Sequence, residues 1–320
     1  MKLNPNDTLN LNMMKMNLYH RRHIINVMTH TQIKLFAKIA ETGSFTKAGL
    51  ELNMTQPAVS RAISSLESEL DIPLLLRDRR GVQLTEAGKR IVVLFREILG
   101  TFAKVDQVIA DEKGLQVGTI RVGAFPVAAA HFLPRIISAI AKQHPSIEFE
   151  LHEGSIDELR TWLETRVIDV ALLIPPDGDW ETIPLYREKM FAVLREDHPL
   201  SSLSIVPVKQ LSTEPFITCK AGYEPPITDL FERARAHLNS KYIVQSVSMA
   251  LHMAEEGLGF PILSELALKS LPSGLVKREL EPNAYRDIRL AVPSIDEASH
   301  AVKLFIRTAL DLFPPSLDLT

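Results

Sequence analysis

The chain has 320 residues, enough for two or three domains with cores of their own. It is 46% apolar and 23% charged with a net charge of −3, which excludes a polycation and leaves local basic patches as the route to any nucleic acid. A single cysteine, Cys219, excludes an internal disulfide and fits a reducing cytoplasm, and no apolar run is long enough to cross a bilayer as a helix.

Residues 1–27 are rich in Asn and Met and lack a sustained period. No compact apolar stretch follows Lys2 or Lys15, so the segment is no signal peptide. Two readings stand, a mobile arm with some basic character at Arg21 and Arg22 or a start codon assigned too far upstream, and a dispensable mobile leader is the expectation. A protein started at Met28 is expected to bind its target normally. Thr29 or Thr31 can then cap a helix running to Glu41, with Ile33, Phe36, Ala37 and Ala40 on one face and Gly43 at its end. Ser44 caps a short helix, Phe45 to Leu52. Asn53 and Met54 break the pattern, and Thr55 caps a second helix with Pro57 in its first turn, where a missing N–H costs nothing.

This second helix has two faces. Val59, Ile63, Leu66 and Leu70 form an apolar stripe at helical period. The other side carries Gln56, Pro57, Ser60, Arg61 and Ser64, where a helix facing water alone would carry Lys and Glu pairs. Gln and Arg can each bond a base edge in bidentate fashion, and small hydroxyls let a backbone come close, so the face has the chemistry of a major-groove reader. Thr31, Ser44, Thr55, Gln56, Pro57, Ala58, Ser60, Arg61 and Ser64 are the candidate DNA contacts here. Arg77, Arg79 and Arg80 follow just before Gly81, and Val82 and Leu84 alternate with Gln83. That is a short basic hairpin, or wing, whose arginines would meet phosphates.

The stretches SFTKAGLELNMTQPAVSRAISSLESEL and PLLLRDRRGVQLTEAG together resemble the LysR-type transcriptional regulators, and the resemblance extends from about Met28 to the chain end. Two departures stand out. Members usually carry Gly where this chain has Asp71, which tolerates a left-handed backbone better than most residues, and an aromatic where it has Leu75. The resemblance implies a homodimer or homotetramer bound to an inverted repeat near a promoter, a small-molecule effector that alters the assembly, and RNA polymerase as a further partner.

Thr85 caps a long helix reaching about Asp111, along which Ile91, Phe95, Ile98, Phe102, Val105 and Ile109 step as a heptad seam. Pairing two such helices is the expected route to a dimer, since one reading helix covers only a few base pairs. Residues 113–118 break the helix and mark a hinge. Beyond it, short strands (119–123, 148–153, 170–174, 190–194, 216–218, 242–244, 288–292) alternate with helices (131–143, 156–164, 228–237, 247–256, 298–312), the texture of a parallel α/β sheet, and Phe260 to Leu263 follows two glycines. The family's layout places these in two lobes joined by two crossovers, resembling periplasmic solute-binding proteins. The expected fold is thus α+β overall: a leader over 1–27, a mainly α winged helix-turn-helix over 28–86, a linker helix over 87–113 and a two-lobe α/β effector domain over 114–320. Lobe I spans about 118–189 and 287–312, and lobe II about 190–286.

In open α/β sheets ligands sit beyond the carboxyl ends of strands, at helix N-termini. Those places hold Ala124, Phe125, Pro126 and Val127; Ser155; Thr218, Cys219 and Lys220; and Ser246, Val247 and Ser248. A small carboxylate or oxyanion is the expected guest, with hydroxyl contacts from Thr218 and Ser246. Lone Cys219, on a predicted cleft loop, reads as a small buried side chain more than as a redox sensor. The histidines are scattered, with no H-E-x-x-H and no G-x-S-x-G, so no enzyme, metal or cofactor is expected.

Overall fold

The computed structural model describes residues 28–78, 81–112, 118–174 and 178–314. The leader, Arg79, Arg80, most of the expected hinge and the last residues lie outside this set. The chain divides into two compact units, Met1–Val105 and Asp106–Thr320.

In the first unit, helix α1 (His30–Thr42) is capped by Thr29 and not by Thr31. The Thr29 hydroxyl accepts the Gln32 N–H while the Gln32 side chain takes the Thr29 N–H at 2.7 Å, so two otherwise unpaired donors are satisfied at once. Helix α2 (Phe45–Glu51) starts at Ser44, whose hydroxyl accepts the Lys47 N–H. Helix α3 (Gln56–Leu70) has Thr55 at its cap position, but the Thr55 side chain makes no cap hydrogen bond; Pro57 in the first turn sets the start instead. The tight turn between α2 and α3 depends on Asn53 at φ +54 and on Gly49, where a Cβ would lie 2.7 Å from the Met54 carbonyl oxygen. Val59, Ile63 and Leu66 of α3 close with Leu35, Phe36 and Ala48 into one core.

Asp71 ends α3 with φ +53, the left-handed turn for which its side chain is suited. Leu75 is buried in place of the usual aromatic. The wing is an antiparallel pair, β1 (Leu75–Asp78) and β2 (Gly81–Leu84), with Leu75 opposite Leu84. Glu67 anchors it, accepting the N–H groups of Leu74 and Leu75 at 2.7 and 3.0 Å.

Helix α4 (Glu86–Glu112) begins after Thr85, whose hydroxyl accepts the Gly88 N–H and donates to the Pro73 carbonyl. The single heptad seam expected along it divides in two. Phe95 is buried, edge-on to Phe36 at 5.7 Å, and Ile91 packs on the same core. Ile98, Phe102, Val105 and Ile109 are exposed. The upper part of the stripe therefore belongs to its own domain, because the three short helices leave a gap that only α4 can fill.

The second unit runs β3 (Gly118–Ala124), α5 (Pro126–Gln143), β4 (Ile147–Glu153), α6 (Ile156–Glu164), β5 (Val170–Leu173) and the long strand β6 (Glu181–Arg195). After a 3₁₀ turn at Pro199–Ser202 come β7 (Ile205–Pro207), α7 (Val208–Leu211), β8 (Phe216–Cys219), α8 (Glu224–Arg233), β9 (Ser240–Val244), α9 (Val247–Glu255) and β10 (Ile262–Ser264). A second 3₁₀ turn, Glu265–Leu268, leads to β11 (Leu275–Glu281), β12 (Tyr285–Val292) and α10 (His300–Leu312). The main sheet has the order β4-β3-β5-β12-β6-β11-β7, with β10 also on β6. β3 is parallel to β4 and β5, and β8 to β9, as expected, but β12 is antiparallel to β5 and β6. The expected parallel pairing thus holds within β3, β4 and β5 and within β8 and β9, and the crossovers depart from it: β6 carries the chain out of one lobe and β12 brings it back, so the two run opposite ways. Two cores result, one around Ile120, Phe132, Leu172 and Phe305, the other around Leu194, Phe216, Phe231 and Leu263.

Gly49→Ala should destabilise the first unit by about 1–3 kcal/mol, since the new methyl meets backbone and not a flexible side chain. Urea unfolding followed by circular dichroism measures it; an unchanged midpoint would show that the turn can open without loss.

Candidate nucleic-acid interface and ligand cleft

α3 turns its apolar stripe inward and leaves Gln56, Pro57, Arg61 and Ser64 exposed, with Ala58 and Ser60 half-buried. Among the described residues Arg61 has no ion-pair or hydrogen-bond partner, and residues 56–64 include no carboxylate to neutralise it. The acids of α3 lie in its second half and are engaged: Glu67 holds the wing, and Glu69 accepts from Ser65 at 2.7 Å and from the Gln32 amide. Thr31 and Thr55 are exposed with free hydroxyls among the described residues, whereas the Ser44 hydroxyl is committed to its cap. Lys38 braces α1 to α2 through Glu41 and Glu51 at 2.9 and 3.0 Å. Arg77 stands in β1 opposite Val82, and Arg79 and Arg80 lie outside the described residues.

The expected cleft residues have different fates. Ala124 and Phe125 are buried where β3 passes into α5, with Pro126 exposed and Val127 half-buried in the first turn. Ser155 caps α6 in a reciprocal box with Glu158, so its hydroxyl is already occupied. Ser246 caps α9 by accepting the Met249 N–H and remains exposed, while Ser248 lies beside His252. Lys220 is exposed, 3.9 Å from Glu224.

Two expectations are corrected. The Thr218 hydroxyl lies 2.6 Å from that of Ser240, at the amino-terminal start of β9, and so is turned away from the carboxyl end of β8. Cys219 is the last residue of β8, not a loop residue, and sits in the lobe II core; burial pushes its thiol up to about 11.

At the junction of the lobes stands a group that sequence reasoning missed. Arg286 of β12 and Glu188 of β6 face each other across the ladder, both fully buried. The Glu188 Oε1 accepts from Arg286 Nε at 2.7 Å and also from Nη2, and its Oε2 accepts the Leu266 N–H. Arg286 further donates to the Ala221 carbonyl at 3.1 Å and the Ser264 hydroxyl at 2.9 Å, and Ser264 pairs with Tyr223. Its guanidinium lies 4.1 Å from the Tyr223 ring and 5.1 Å from the Phe125 ring. The partners stand 98 positions apart in the chain, and no local pattern marks either one. Nearby, Gly222 at φ +78 lies so close to lobe I that a Cβ would be 2.4 Å from Ile174 Cδ1. A second bridge joins Lys269 to His131 Nδ1 at 2.8 Å. Burial, then the charges of Lys269 and Arg135, lower the His131 pKa. Among the described residues no cluster of His, Cys, Asp and Glu is placed to hold a metal, and no helix is long and apolar enough to cross a membrane.

Residues 30–89 match the family described as bacterial regulatory helix-turn-helix protein, lysR family, and residues 113–314 match the LysR substrate binding domain. The chain is 52% identical over 289 residues to the HTH-type transcriptional regulator YvbU of Bacillus subtilis (strain 168), covering 89% of this chain and 99% of YvbU. Its fold is similar to that of a full-length OxyR variant from Pseudomonas aeruginosa, with a TM-score of 0.71 at 22% identity over 88% of this chain and 95% of that one. It is also similar to the effector binding domain of QuiR in complex with shikimate, with a TM-score of 0.58 at 22% identity over 62% of this chain and 97% of the QuiR domain.

The burial of Cys219 has a direct chemical consequence, because the thiolate is the reactive form. Iodoacetamide at neutral pH should leave the folded protein unmodified and label it fully in denaturant, as read by intact mass. Rapid labelling of the native protein would put Cys219 at the surface.

Proposed function

This chain belongs to the LysR family of DNA-binding transcriptional regulators, and from that premise we propose that α3 reads the half-sites of an interrupted inverted repeat near a promoter. The observation that carries this reading is the open face of α3: Gln56 and Arg61 exposed, with neither carboxylates nor bulky side chains between them. A good bidentate pair to a base is worth about 1–3 kcal/mol of discrimination, so one helix alone specifies little and two related by a two-fold axis are needed. The exposed half of α4 supplies the means. Ile98, Phe102, Val105 and Ile109 recur by four, three and four, and water is a poor neighbour for such a row. Each is already about half covered within the chain, so burying the rest against a second copy contributes about 1 kcal/mol apiece. The protein acts in the cytoplasm as a homodimer or as a tetramer built from it, with RNA polymerase as a further partner.

The effector domain takes a small anion between its lobes. The first turns of α5 and α9 supply unpaired N–H groups and partial positive charge. The carboxylate shikimate in the QuiR complex is an instance of such chemistry in a similar fold.

Arg61→Ala should weaken specific operator binding by about 1–3 kcal/mol and relax the preference at one base pair. Titration across operator variants tests it: an equal loss for every variant reassigns Arg61 to the phosphate backbone. Ile98→Asp with Val105→Asp, one heptad apart and both outside the domain core, should give folded monomers in sedimentation. A double variant that stays dimeric places the interface elsewhere.

A further inference from the structure

The expectation that helix termini, the hydroxyls of Thr218 and Ser246 and the nearby Lys220 draw the effector overlooks the buried arginine at the lobe junction. Arg286 meets an acid on one side only. Glu188 takes its Nε and one Nη2 hydrogen through a single oxygen and is itself fixed by the Leu266 N–H. The opposite edge of the guanidinium, formed by Nη1 and the rest of Nη2, meets neutral acceptors, the Ala221 carbonyl and the Ser264 hydroxyl. One Nη1 hydrogen has no partner among the described residues. The rings stacked against the group come from opposite lobes: Phe125 belongs to the lobe I core and Tyr223 to that of lobe II.

This is how a side chain is arranged to read an oxyanion. A buried acid fixes the plane, two aromatic rings from different lobes lie within 5.1 Å of the guanidinium, and the edge away from the acid meets only neutral acceptors. Neutral acceptors on that edge are the ones a carboxylate replaces, because its two oxygens match the guanidinium fork in a bidentate, charge-paired geometry that a lone carbonyl and a hydroxyl do not offer. Phe125 also stands at the start of α5, a helix of 18 residues whose first N–H groups add positive potential beside the guanidinium. Glu188 cancels the charge of the guanidinium, so the net positive potential left for a ligand is the fraction from the first turn of α5, which suits one carboxylate and not a dianion, bound by geometry as much as by charge.

We propose that Arg286, positioned by Glu188, is the carboxylate-reading side chain of the effector cleft, and that the effector's carboxylate displaces Ala221 and Ser264 from its outer edge as the lobes part to admit it. This rests on the reading of the cleft as an effector site, and it adds to that reading the residue that selects the ligand class.

The test is calorimetry on the full-length protein with small monocarboxylates, shikimate and benzoate among them, each beside its primary amide. In the wild type at least one carboxylate should bind and its amide should not. Arg286→Met alone strands a buried Glu188 and can unfold the domain, so the variant used is Arg286→Met with Glu188→Met, which removes both charges at similar volume. Circular dichroism should report it folded, and carboxylate affinity should fall by about tenfold or more. Ser264→Ala removes a competing acceptor, and affinity should rise, an outcome no merely structural role produces. Unchanged carboxylate binding in the double variant, or no gain in Ser264→Ala, overturns the role of Arg286 and leaves the effector cleft standing. Binding of amides or amines only, or of nothing in the panel, overturns both.

Discussion

The register between β6 and β12 is the constraint on which the second unit depends. The strands pair from Glu181 opposite Val292 to Lys189 opposite Tyr285, and both lobes are built outward from that ladder. Arg187 faces Asp287 and Glu188 faces Arg286, two neighbouring pairs of reversed polarity. A slip of one residue would set Arg286 against Arg187 or Lys189, bringing like charges together in a desolvated place. Buried ion pairs add little net stability against apolar substitutes, but they make wrong pairings costly. Movement between the lobes must then be absorbed where the strands change partners, at Lys189–Met190 and Ala284–Tyr285, and not by sliding along the ladder.

The first unit shows the same economy at smaller scale. Its three short helices bury few side chains, so a close backbone approach at Gly49, a left-handed residue at Asn53 and the Glu67 anchor to the wing together set the angle of α3. Phe95 of α4 completes the core from outside. The reading face stays polar and unengaged because all the packing is done on the opposite side. That separation lets the exposed positions vary with the target while the fold is kept.

How much of this was legible before the structure depended on the range of the interactions involved. The helix-turn-helix was readable in detail, since caps, a proline at the first turn and an apolar stripe are local signals. Short buried strands such as β5 were equally clear. The first half of β6 and all of β11 were not, because Thr182, Arg187, Glu188, Lys277 and Glu279 interrupt the apolar pattern and their partners lie far along the chain. The α4 stripe misled for a related reason: a heptad looks the same whether its neighbour is another copy or its own domain, and only the position of Phe36 decides. At the cleft, two of the four hydroxyls chosen from strand ends, Ser155 and Ser246, were occupied as caps, and Thr218 was paired with Ser240. Arg286 and Glu188 carried no signal, since an isolated Arg and Glu on strands usually face water.

The return of the chain through β12 also sets an order of assembly. Residues 190–284 are contiguous and hold the whole lobe II core, whereas lobe I needs Ala301, Phe305, Ala309 and Phe313 from the far end of the chain. During synthesis the first lobe to begin emerging is therefore the last to be completed. Until α10 and Phe313 leave the ribosome, the face of Phe132 against which Phe313 packs at 4.8 Å stays open to water. A premature stop just before α10 would thus leave an intact DNA-reading unit attached to an exposed apolar surface, a product suited to capture by chaperones or proteases and ill suited to regulation.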